Sequence, residues 1–506
     1  MTRFTISGLV LLAATGCPGE DFTTGEVLPL DDAVVALDAR RGEVRVVRLG
    51  AGGVVDGRAA LVFDERAQGV RVLPRPGRTD EVLAFHQGRV GDADEETLDA
   101  ELVLVGPEGE RGRWTLDGPY LSFAPDVGGR YVLVSQPRGR IAFENRVEVI
   151  DLDAPGVSVP LSLRSLGGEV PTAAAFSPPL PSEGETPLRV AALFAAGQLS
   201  LFDLDAPDTP PATIPTTVGG SAGPMPIEAR FVGREVVVRT ASSSQLLVLT
   251  LNDFVGEGGL RFDPSIRTLA TAGPVRRLSV DPRSDPPRLI ALAGTTLHLF
   301  DLGTGAEAQI AVPLQHAFVG LFDGPAPGDP VVRPRLVSYG GTAQLTFVDL
   351  GEAPTAVRAS SDLRLQAAPV ATDLDADGGR LVLYGGGTGS PSTASRSPFA
   401  ILDLFDRSAT PLGVTSLDRA VLAPEGRSLW LAGTSDGYLA RLDLDTGELE
   451  ERFLPGGERI TALLPLGGGA ERALAFTRGG PSALGAFRVL TPGELEADAD
   501  PPRGAF

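Results

Sequence analysis

One short phrase recurs along the chain: an alternating apolar run that ends in Asp and is usually followed by Leu. Neighbouring copies are 40 to 54 residues apart. Repeats of this length are typical of four-stranded units that stack side by side, whereas helical repeats are usually shorter. The positions that close the phrase are Asp151, Asp203, Thr250 (in the place of the Asp), Asp301, Asp349, Asp403 and Asp443.

Each repeat also has an upstream half that reads strand, turn with Pro, Asp or Gly, strand, as in 121–135 and 420–433. The segment 438–454 (YLARLDLDTGELEERFL) shows the second half, with an Asp-Thr-Gly turn between two strands. Two hairpins make one antiparallel sheet that neighbouring sheets must cover. The sequence therefore predicts an all-β fold, a single β-propeller of about eight (seven to nine) four-stranded blades. The last unit shows three clear strands, and we expect a strand from the N-terminus to complete it.

The repeat pattern, with its strand-closing Asp-Leu-x-Thr-Gly turns, resembles the YVTN-type and WD-repeat propellers. The segment 33–44 (AVVALDARRGEV) resembles the repeat of quinone-type propellers. This resemblance covers roughly 30 to 490 and implies the blade fold. It carries no set of functional residues, so the expected activity stays open.

Composition excludes several function classes. A net charge of −21 over 506 residues, with no basic stripe, argues against binding to nucleic acid, which is itself a polyanion. All 44 cationic residues are Arg, so Schiff-base lysine chemistry and the P-loop lysine are excluded. The 63 Gly and 43 Pro suit many tight turns between short strands.

The N-terminus predicts an export signal. The apolar run 4–14 is too short to cross a bilayer, which needs about 20 residues. Ala14-Thr15-Gly16 directly before Cys17 resembles the bacterial lipoprotein box, which implies cleavage of 1–16 and lipidation of Cys17. The alternative is an ordinary secretory signal with an incidental Cys. The lipoprotein hypothesis gives a tether at 17–29, the propeller at 30–493 and an acidic flexible tail at 494–506, on a bacterial outer membrane.

One segment has the spacing of a calcium loop. Asp373, Asp375 and Asp377, followed by Gly378, form a D-x-D-x-D-G pattern of carboxylates that could wrap a hard cation. The later acid of such loops is absent, and other repeats have ordinary turns at this place. Calcium is therefore one interpretation and a plain turn the other, and the sequence indicates no further cofactor.

Three other patterns are weighed as sites. The segment 219–223 matches the G-x-S-x-G nucleophile elbow but lacks the following helix that this motif needs. His86, His298 and His316 lie in different repeats without metal-ligand spacing, so we interpret them as buried structural residues. The repeated Asp is expected to bind the backbone of its own turn rather than to form a carboxylate site.

Two functional hypotheses remain. The first is a non-enzymatic, monomeric scaffold, anchored by lipid, that binds an envelope protein, a peptide or a glycan. Within this class the propeller lipoprotein of the outer-membrane barrel-assembly machinery is similar in fold and anchoring. The alternative is a propeller hydrolase, a lactonase or glycan-active enzyme, with a metal or carboxylates in its channel.

Overall fold

The structure is a computed structural model. It describes 24–30, 33–38, 42–50, 53–63, 69–89, 97–120, 122–126, 128–135, 146–167, 169, 171–180, 188–195, 197–216, 225–256, 259–369, 371–374, 379–386, 396–412, 419–423, 427–433, 437–454, 459–466, 471–478, 485–492 and 503–505.

Within these residues the strands form ten four-stranded antiparallel sheets, each in sequence order, numbered here as blades 1 to 10. A short 3₁₀ helix, Leu163–Leu166, follows blade 3. Blades 1 to 5 comprise β1 (Thr24–Pro29), β2 (Ala33–Asp38), β3 (Glu43–Gly50) and β4 (Gly53–Val62); β5 (Arg71–Pro74), β6 (Val82–His86), β7 (Glu101–Gly106) and β8 (Gly109–Thr115); β9 (Ser122–Pro125), β10 (Tyr131–Ser135), β11 (Arg146–Asp151) and β12 (Ser158–Ser162); β13 (Ala173–Phe176), β14 (Val190–Ala195), β15 (Gln198–Asp203) and β16 (Ala212–Pro215); β17 (Pro226–Val232), β18 (Glu235–Thr240), β19 (Gln245–Gly256) and β20 (Gly259–Ala270).

The later blades repeat this plan. Blades 6 to 10 comprise β21 (Val275–Asp281), β22 (Arg288–Ala293), β23 (Thr296–Asp301) and β24 (Glu307–Ala311); β25 (Phe318–Ala326), β26 (Asp329–Tyr339), β27 (Gln344–Leu350) and β28 (Val357–Arg364); β29 (Ala371–Leu374), β30 (Arg380–Gly386), β31 (Arg396–Asp403) and β32 (Ser408–Pro411); β33 (Arg419–Leu422), β34 (Ser428–Ala432), β35 (Tyr438–Asp443) and β36 (Leu449–Phe453); β37 (Arg459–Leu466), β38 (Arg472–Arg478), β39 (Gly485–Leu490) and β40 (Arg503–Ala505).

The chain divides into two compact units. Unit 1 comprises Met1–Pro119 and Pro369–Phe506, with blades 1, 2, 8, 9 and 10. Unit 2 comprises Tyr120–Ala368, with blades 3 to 7. The predicted all-β fold of four-stranded propeller blades is confirmed. Within the described residues no helix is long and apolar enough to cross a membrane.

Strand β14 (VAALFA) explains why the inner strands are continuous apolar runs. All six of its residues are buried. Because side chains alternate along a strand, Val190, Ala192 and Phe194 pack toward blade 5, and Ala191 and Leu193 pack toward blade 3. Each middle strand is thus covered on both faces. The fourth strand of a blade alternates or is mostly exposed, as in β28.

The blade count differs from the predicted one. Within the described residues there are ten blades instead of about eight (seven to nine). Blades 1, 2 and 10 lack the Asp-Leu phrase at the end of their third strands β3, β7 and β39, which close on Gly50, Gly106 and Leu490. The phrase therefore marks blades 3 to 9, the last unit is recognised by its strands, and the irregular region before Gly118 is where the predicted count falls short.

The last blade is also completed differently from the prediction. Strand β40, from the segment predicted as a flexible tail, pairs with β39. Strand β1, which begins inside the predicted tether, pairs with β2 in blade 1 instead. Leu28 of β1 packs against the core of blades 1 and 2, which explains its place there. Within unit 1, blades 1 and 10 are joined by side-chain packing, for example Val34 against Leu474.

A buried arginine joins two neighbouring blades in unit 2. Arg288 on β22 has no solvent exposure, and its Nη1 donates to the buried Asp281 carboxylate at 3.1 Å. Its Nη2 donates to the carbonyls of Gly351 and Ala353, each at 2.7 Å, and its Nε to that of Pro354. A guanidinium carries five donors in one plane, so a single side chain fixes the loop that follows β27 onto blade 6.

His316 illustrates a polar group that the core accepts only in its neutral form. Its Nε2 lies 2.8 Å from the Gln344 carbonyl, which can only accept, so Nε2 carries the proton. Nδ1 lies 2.9 Å from the Ser338 hydroxyl, which donates to it. Burial lowers the pKa of His316 from its ordinary value near 6.5. The unfolded chain therefore binds this proton more readily than the folded one.

In the His316→Gln variant, the free energy of unfolding is expected to fall less steeply than in the wild type as the pH is lowered. The contribution of neutral His316 is complete above about pH 6.5 and declines as the pH falls, with a slope of at most about 1.4 kcal/mol per pH unit. Denaturant titrations at pH 7.5, 6.5 and 5.5 measure the free energy of unfolding of wild type and variant. The difference between the two isolates the contribution of His316, because the carboxylates that titrate in both proteins cancel. Identical pH slopes would contradict the buried neutral imidazole.

Candidate functional site

The repeated Asp residues take the predicted structural role. Asp301 accepts hydrogen bonds at one oxygen from the backbone N–H of Gly303 and Thr304, at 2.8 and 3.1 Å. Equivalent bonds hold the turns after four further positions, and this prediction is confirmed there. These positions are Asp151, Asp203, Asp403 and Asp443. Asp349 instead accepts from the buried Arg335.

The three histidines are buried and bonded, as expected for structural residues. Nδ1 of His86 accepts from the Gly88 N–H at 3.1 Å. Nε2 of His298 accepts from the Ala272 N–H at 3.1 Å, while its Nδ1 pairs with Glu307. His86 and His298 belong to different units. No group of three or more His, Cys, Asp or Glu in the described part of the chain has the arrangement of a metal site.

The remaining predicted sites lie mostly outside the described residues. These are Cys17, the G-x-S-x-G segment 219–223, and Asp375 and Asp377 of the calcium hypothesis. Asp373 belongs to β29, with Val382 opposite it on β30. The lipidation site and the calcium loop therefore stay predictions.

An open cavity of about 750 Å³ lies in unit 2 among blades 3 to 6. All four residues of β13 line it, and so do three consecutive residues of β17 (Ala229, Arg230 and Phe231). Because side chains alternate between the faces of a strand, a cavity that touches every residue runs along the strand's edge. Within the described residues, β13 pairs with β14 alone and β17 with β18 alone, so no described strand pairs with the other backbone edge of either one.

Aromatic rings form part of the cavity wall. Tyr131 on β10 stacks on Phe176 of β13, with ring centroids 5.3 Å apart and planes inclined by 20°. The Arg130 guanidinium lies 5.2 Å from the Tyr131 centroid. Phe231 of β17 also lines the cavity, together with alanines and prolines of β9 and the segments around β13.

An ion-pair network supports these rings. Arg189 Nη1 donates to Tyr131 Oη at 2.9 Å and to Asp151 Oδ2 at 3.3 Å, while its Nε donates to Asp205 Oδ2 at 3.0 Å. Arg130 Nη2 donates to Asp151 Oδ2 at 2.8 Å. Asp151 ends the third strand of blade 3 and Arg189 precedes the second strand of blade 4, so the network joins two blades.

The electrostatics of the network keep it in one charge state. Burial raises the pKa of the Asp151 carboxyl, but the hydrogen bonds from Arg130 and from the Asp153 N–H outweigh burial and hold the pKa below its usual range. Burial raises the pKa of Tyr131, so the phenol stays neutral. The hydrogen bond to Asp205 raises the pKa of Arg189 above its ordinary value, so this guanidinium stays charged. The charges of Arg130 and Arg189 are thus balanced by fixed carboxylates.

Arg230 differs from these two arginines. Its Nε donates to Glu228 Oε1 at 2.8 Å, and the other oxygen of Glu228 accepts from Arg239 Nε at 2.8 Å. One carboxylate is shared by two guanidinium groups, so the trio carries one positive charge in excess. Within the described residues no acceptor contacts the terminal nitrogens of Arg230. This cavity-lining residue was not singled out by sequence reasoning, because a lone Arg on an inner strand carries no motif.

Comparisons with known proteins give likenesses in structure only. No protein-family model matches the chain, and the search of curated proteins finds no match. Among solved structures, "the eukaryotic initiation factor" aligns over 92% of this chain and 95% of its own (TM-score 0.46, 9% identity). The dihydro-heme d1 dehydrogenase NirN in complex with DHE aligns over 69% and 70% (TM-score 0.38, 14% identity). The Myceliophteria thermophila Cps50 (Swd1) β-propeller domain aligns over 72% and 94% (TM-score 0.29, 11% identity).

Proposed function

We propose that this chain is a bacterial envelope lipoprotein whose WD- and YVTN-like propeller binds a peptide segment of another envelope protein. The observation that carries the proposal is the unit 2 cavity, which runs along the open edges of β13 and β17. Its volume lies within the range of about 300–1,000 Å³ that is usual for ligand pockets. Propeller folds also commonly mediate protein binding.

The chemistry of the cavity favours a peptide over a glycan. Open strand edges offer backbone N–H and C=O groups that an extended peptide pairs with, as in β-strand addition. The walls between them are alanine, proline and aromatic side chains, which suit the apolar side chains of a peptide. The charge of −21 opposes a nucleic-acid partner.

Capture from solubilised envelopes tests this function. Full-length protein purified from its membrane is used as bait, next to Ala124→Trp, which fills the cavity from an exposed position on β9. A partner retained by the wild type and lost with Ala124→Trp supports peptide binding in the cavity. Val357→Trp is the control, because Val357 is exposed on the outer strand β28. If this variant retains the partner as well as the wild type does, an added surface Trp does not by itself prevent binding. Retention by wild type and Ala124→Trp alike, or no retained partner, would argue against it.

The anchor has its own test. Cys17→Ser is expected to move the chain from the detergent phase to the aqueous phase in a Triton X-114 separation, because acyl chains supply about 0.8 kcal/mol per buried CH₂. Thr15→Ser, which keeps a small residue before Cys17, should leave the chain in the detergent phase. Equal partition of wild type and Cys17→Ser would contradict lipidation at this residue.

A further inference from the structure

We infer that the unit 2 cavity recognises an aromatic group joined to a carboxylate, presented by an extended peptide, and that Arg230 pairs with that carboxylate. This inference rests on the proposed peptide-binding function and adds its specificity. The charge, the free donors and the aromatic surface of the cavity support it.

The unbalanced positive charge of the cavity lies at Arg230. Among the described residues that line it are three arginines, Arg130, Arg189 and Arg230, and one acid, Asp126. Asp151 and Asp205 neutralise Arg130 and Arg189, whereas Arg230 shares the single carboxylate of Glu228 with Arg239. The Asp126 carboxylate is engaged by the backbone, with Oδ1 accepting from the Tyr131 N–H at 2.7 Å and Oδ2 from the Gly128 N–H at 3.2 Å. An anionic group is thus favoured here over a cationic one.

Among the three arginines, Arg230 has donors to spare. Arg130 and Arg189 are held by Asp151 and Asp205, as described above. Glu228 holds Arg230 through Nε and thereby fixes the direction of the guanidinium, while the two terminal nitrogens keep their N–H groups for a ligand. A guanidinium restrained in this way presents parallel donors that match a carboxylate.

The aromatic part of the ligand follows from the rings of the same cavity. Arg230 and Phe231 are consecutive on β17, so their side chains lie on opposite faces of the strand, and Phe231 packs against the core of blades 4 and 5. The Tyr131–Phe176 stack also lines the cavity. Aromatic rings pair favourably in stacked or edge-to-face contacts beyond the area they bury. Neighbouring side chains of an extended peptide also lie on opposite faces, so an aromatic residue beside an acidic one can contact the rings and Arg230 together.

The probes are a matched set titrated calorimetrically into the full-length purified protein. The peptide acetyl-Gly-Phe-Glu-Gly-amide is compared with its Gln counterpart, which removes the charge at nearly the same shape, and with its Lys counterpart, which reverses the charge. Free 1-naphthylacetate and neutral 1-naphthylacetamide form the second pair, because a small molecule could carry the same chemistry without a peptide backbone. The acidic member of each pair is expected to bind about tenfold more tightly than its neutral counterpart.

The variants locate the effect. Arg230→Gln should remove the preference for the acidic probes, and Ala124→Trp should weaken all probes. Arg45→Gln is the matched control, since Arg45 Nε also donates to a Glu two residues away, Glu43, at 2.5 Å, but on β3 in unit 1. Far-UV circular dichroism shows whether each variant has folded. If Arg230→Gln does not fold, Ala124→Trp still tests whether the probes bind in the cavity.

The outcomes separate the inference from the proposed function. Equal affinity for acidic and neutral probes, or a preference that survives Arg230→Gln in a folded variant, overturns the inference even if a peptide partner is captured. Acid-selective binding of 1-naphthylacetate without binding of any peptide supports the aromatic-carboxylate site and contradicts the peptide function. The absence of binding by every probe overturns the inference as well.

Discussion

Arg288→Met is expected to destabilise unit 2 by about 3–5 kcal/mol, the usual cost of breaking a buried ion pair by removing one partner. Asp281 is completely buried, and among the described residues its carboxylate keeps the bonds from Arg283, whose Nε donates to it at 2.6 Å. Three carbonyls of the loop 351–354 lose the guanidinium as a donor at the same time, although that of Ala353 still accepts from the Ala356 N–H. Arg288→Lys should be intermediate, because an ammonium keeps the charge but lacks the planar fork.

Hydrogen exchange followed by mass spectrometry over 275–365 measures this effect locally. Arg333→Met is the matched control, since Arg333 pairs with the exposed Asp329 on the neighbouring blade, and its exchange pattern should equal that of the wild type. Unchanged protection of β21 and β22 in Arg288→Met would show that the guanidinium does not hold the two blades together.

Trp430→Ala is expected to cost unit 1 about 3–5 kcal/mol, the range for removing a large aromatic side chain from a core. Trp430 of blade 9 is completely buried and packs with Ile460 and Ala473 of blade 10. Its Nε1 donates to the Glu471 carbonyl at 3.1 Å. The substitution therefore opens a void between two blades and leaves a carbonyl without its donor.

Trp430→Phe is the comparison for this variant. It keeps a six-membered ring but loses the hydrogen bond and the volume of the five-membered ring, so a smaller cost of about 1–3 kcal/mol is expected. The chain has two Trp residues, so in both variants Trp114, buried in blade 2 of the same unit, is the remaining fluorophore for a denaturant titration. Equal midpoints for the Ala and Phe variants would mean that blades 9 and 10 do not depend on this packing.

The repeat in the sequence was enough to predict the blades, because alternation and Asp turns are local properties. Asp301 binds its own turn two and three residues on, which a residue pattern can indicate directly. The completion of the last blade was predicted wrongly for the opposite reason: strand β40 is Arg-Gly-Ala, held by main-chain pairing with β39, and backbone pairing leaves no side-chain pattern to recognise. Strand β1 was likewise assigned to a tether.

The candidate site could not be predicted in this way. Tyr131, Phe176 and Arg230 are about 50 residues apart in successive blades and meet only because the blades stack. The two arginines that bind Asp151, Arg130 and Arg189, do leave a signal, since each directly precedes the second strand of its blade. Arg230 has no recurring position in the repeats. Its free donors follow from the carboxylate of Glu228 that it shares with Arg239, and only the folded structure shows this contact.

Photo-crosslinking in living cells tests the central claim most directly. Benzoylphenylalanine is placed at Ala124, which lines the cavity, and at Val357 on the outer strand β28 as the control. We predict an adduct at 124 with an envelope protein, through a segment in which an aromatic residue lies beside Asp or Glu, and a much weaker adduct when Arg230 is changed to Gln. An adduct that is absent at 124, equal at 357, or unaffected by Arg230→Gln would contradict a peptide site in this cavity.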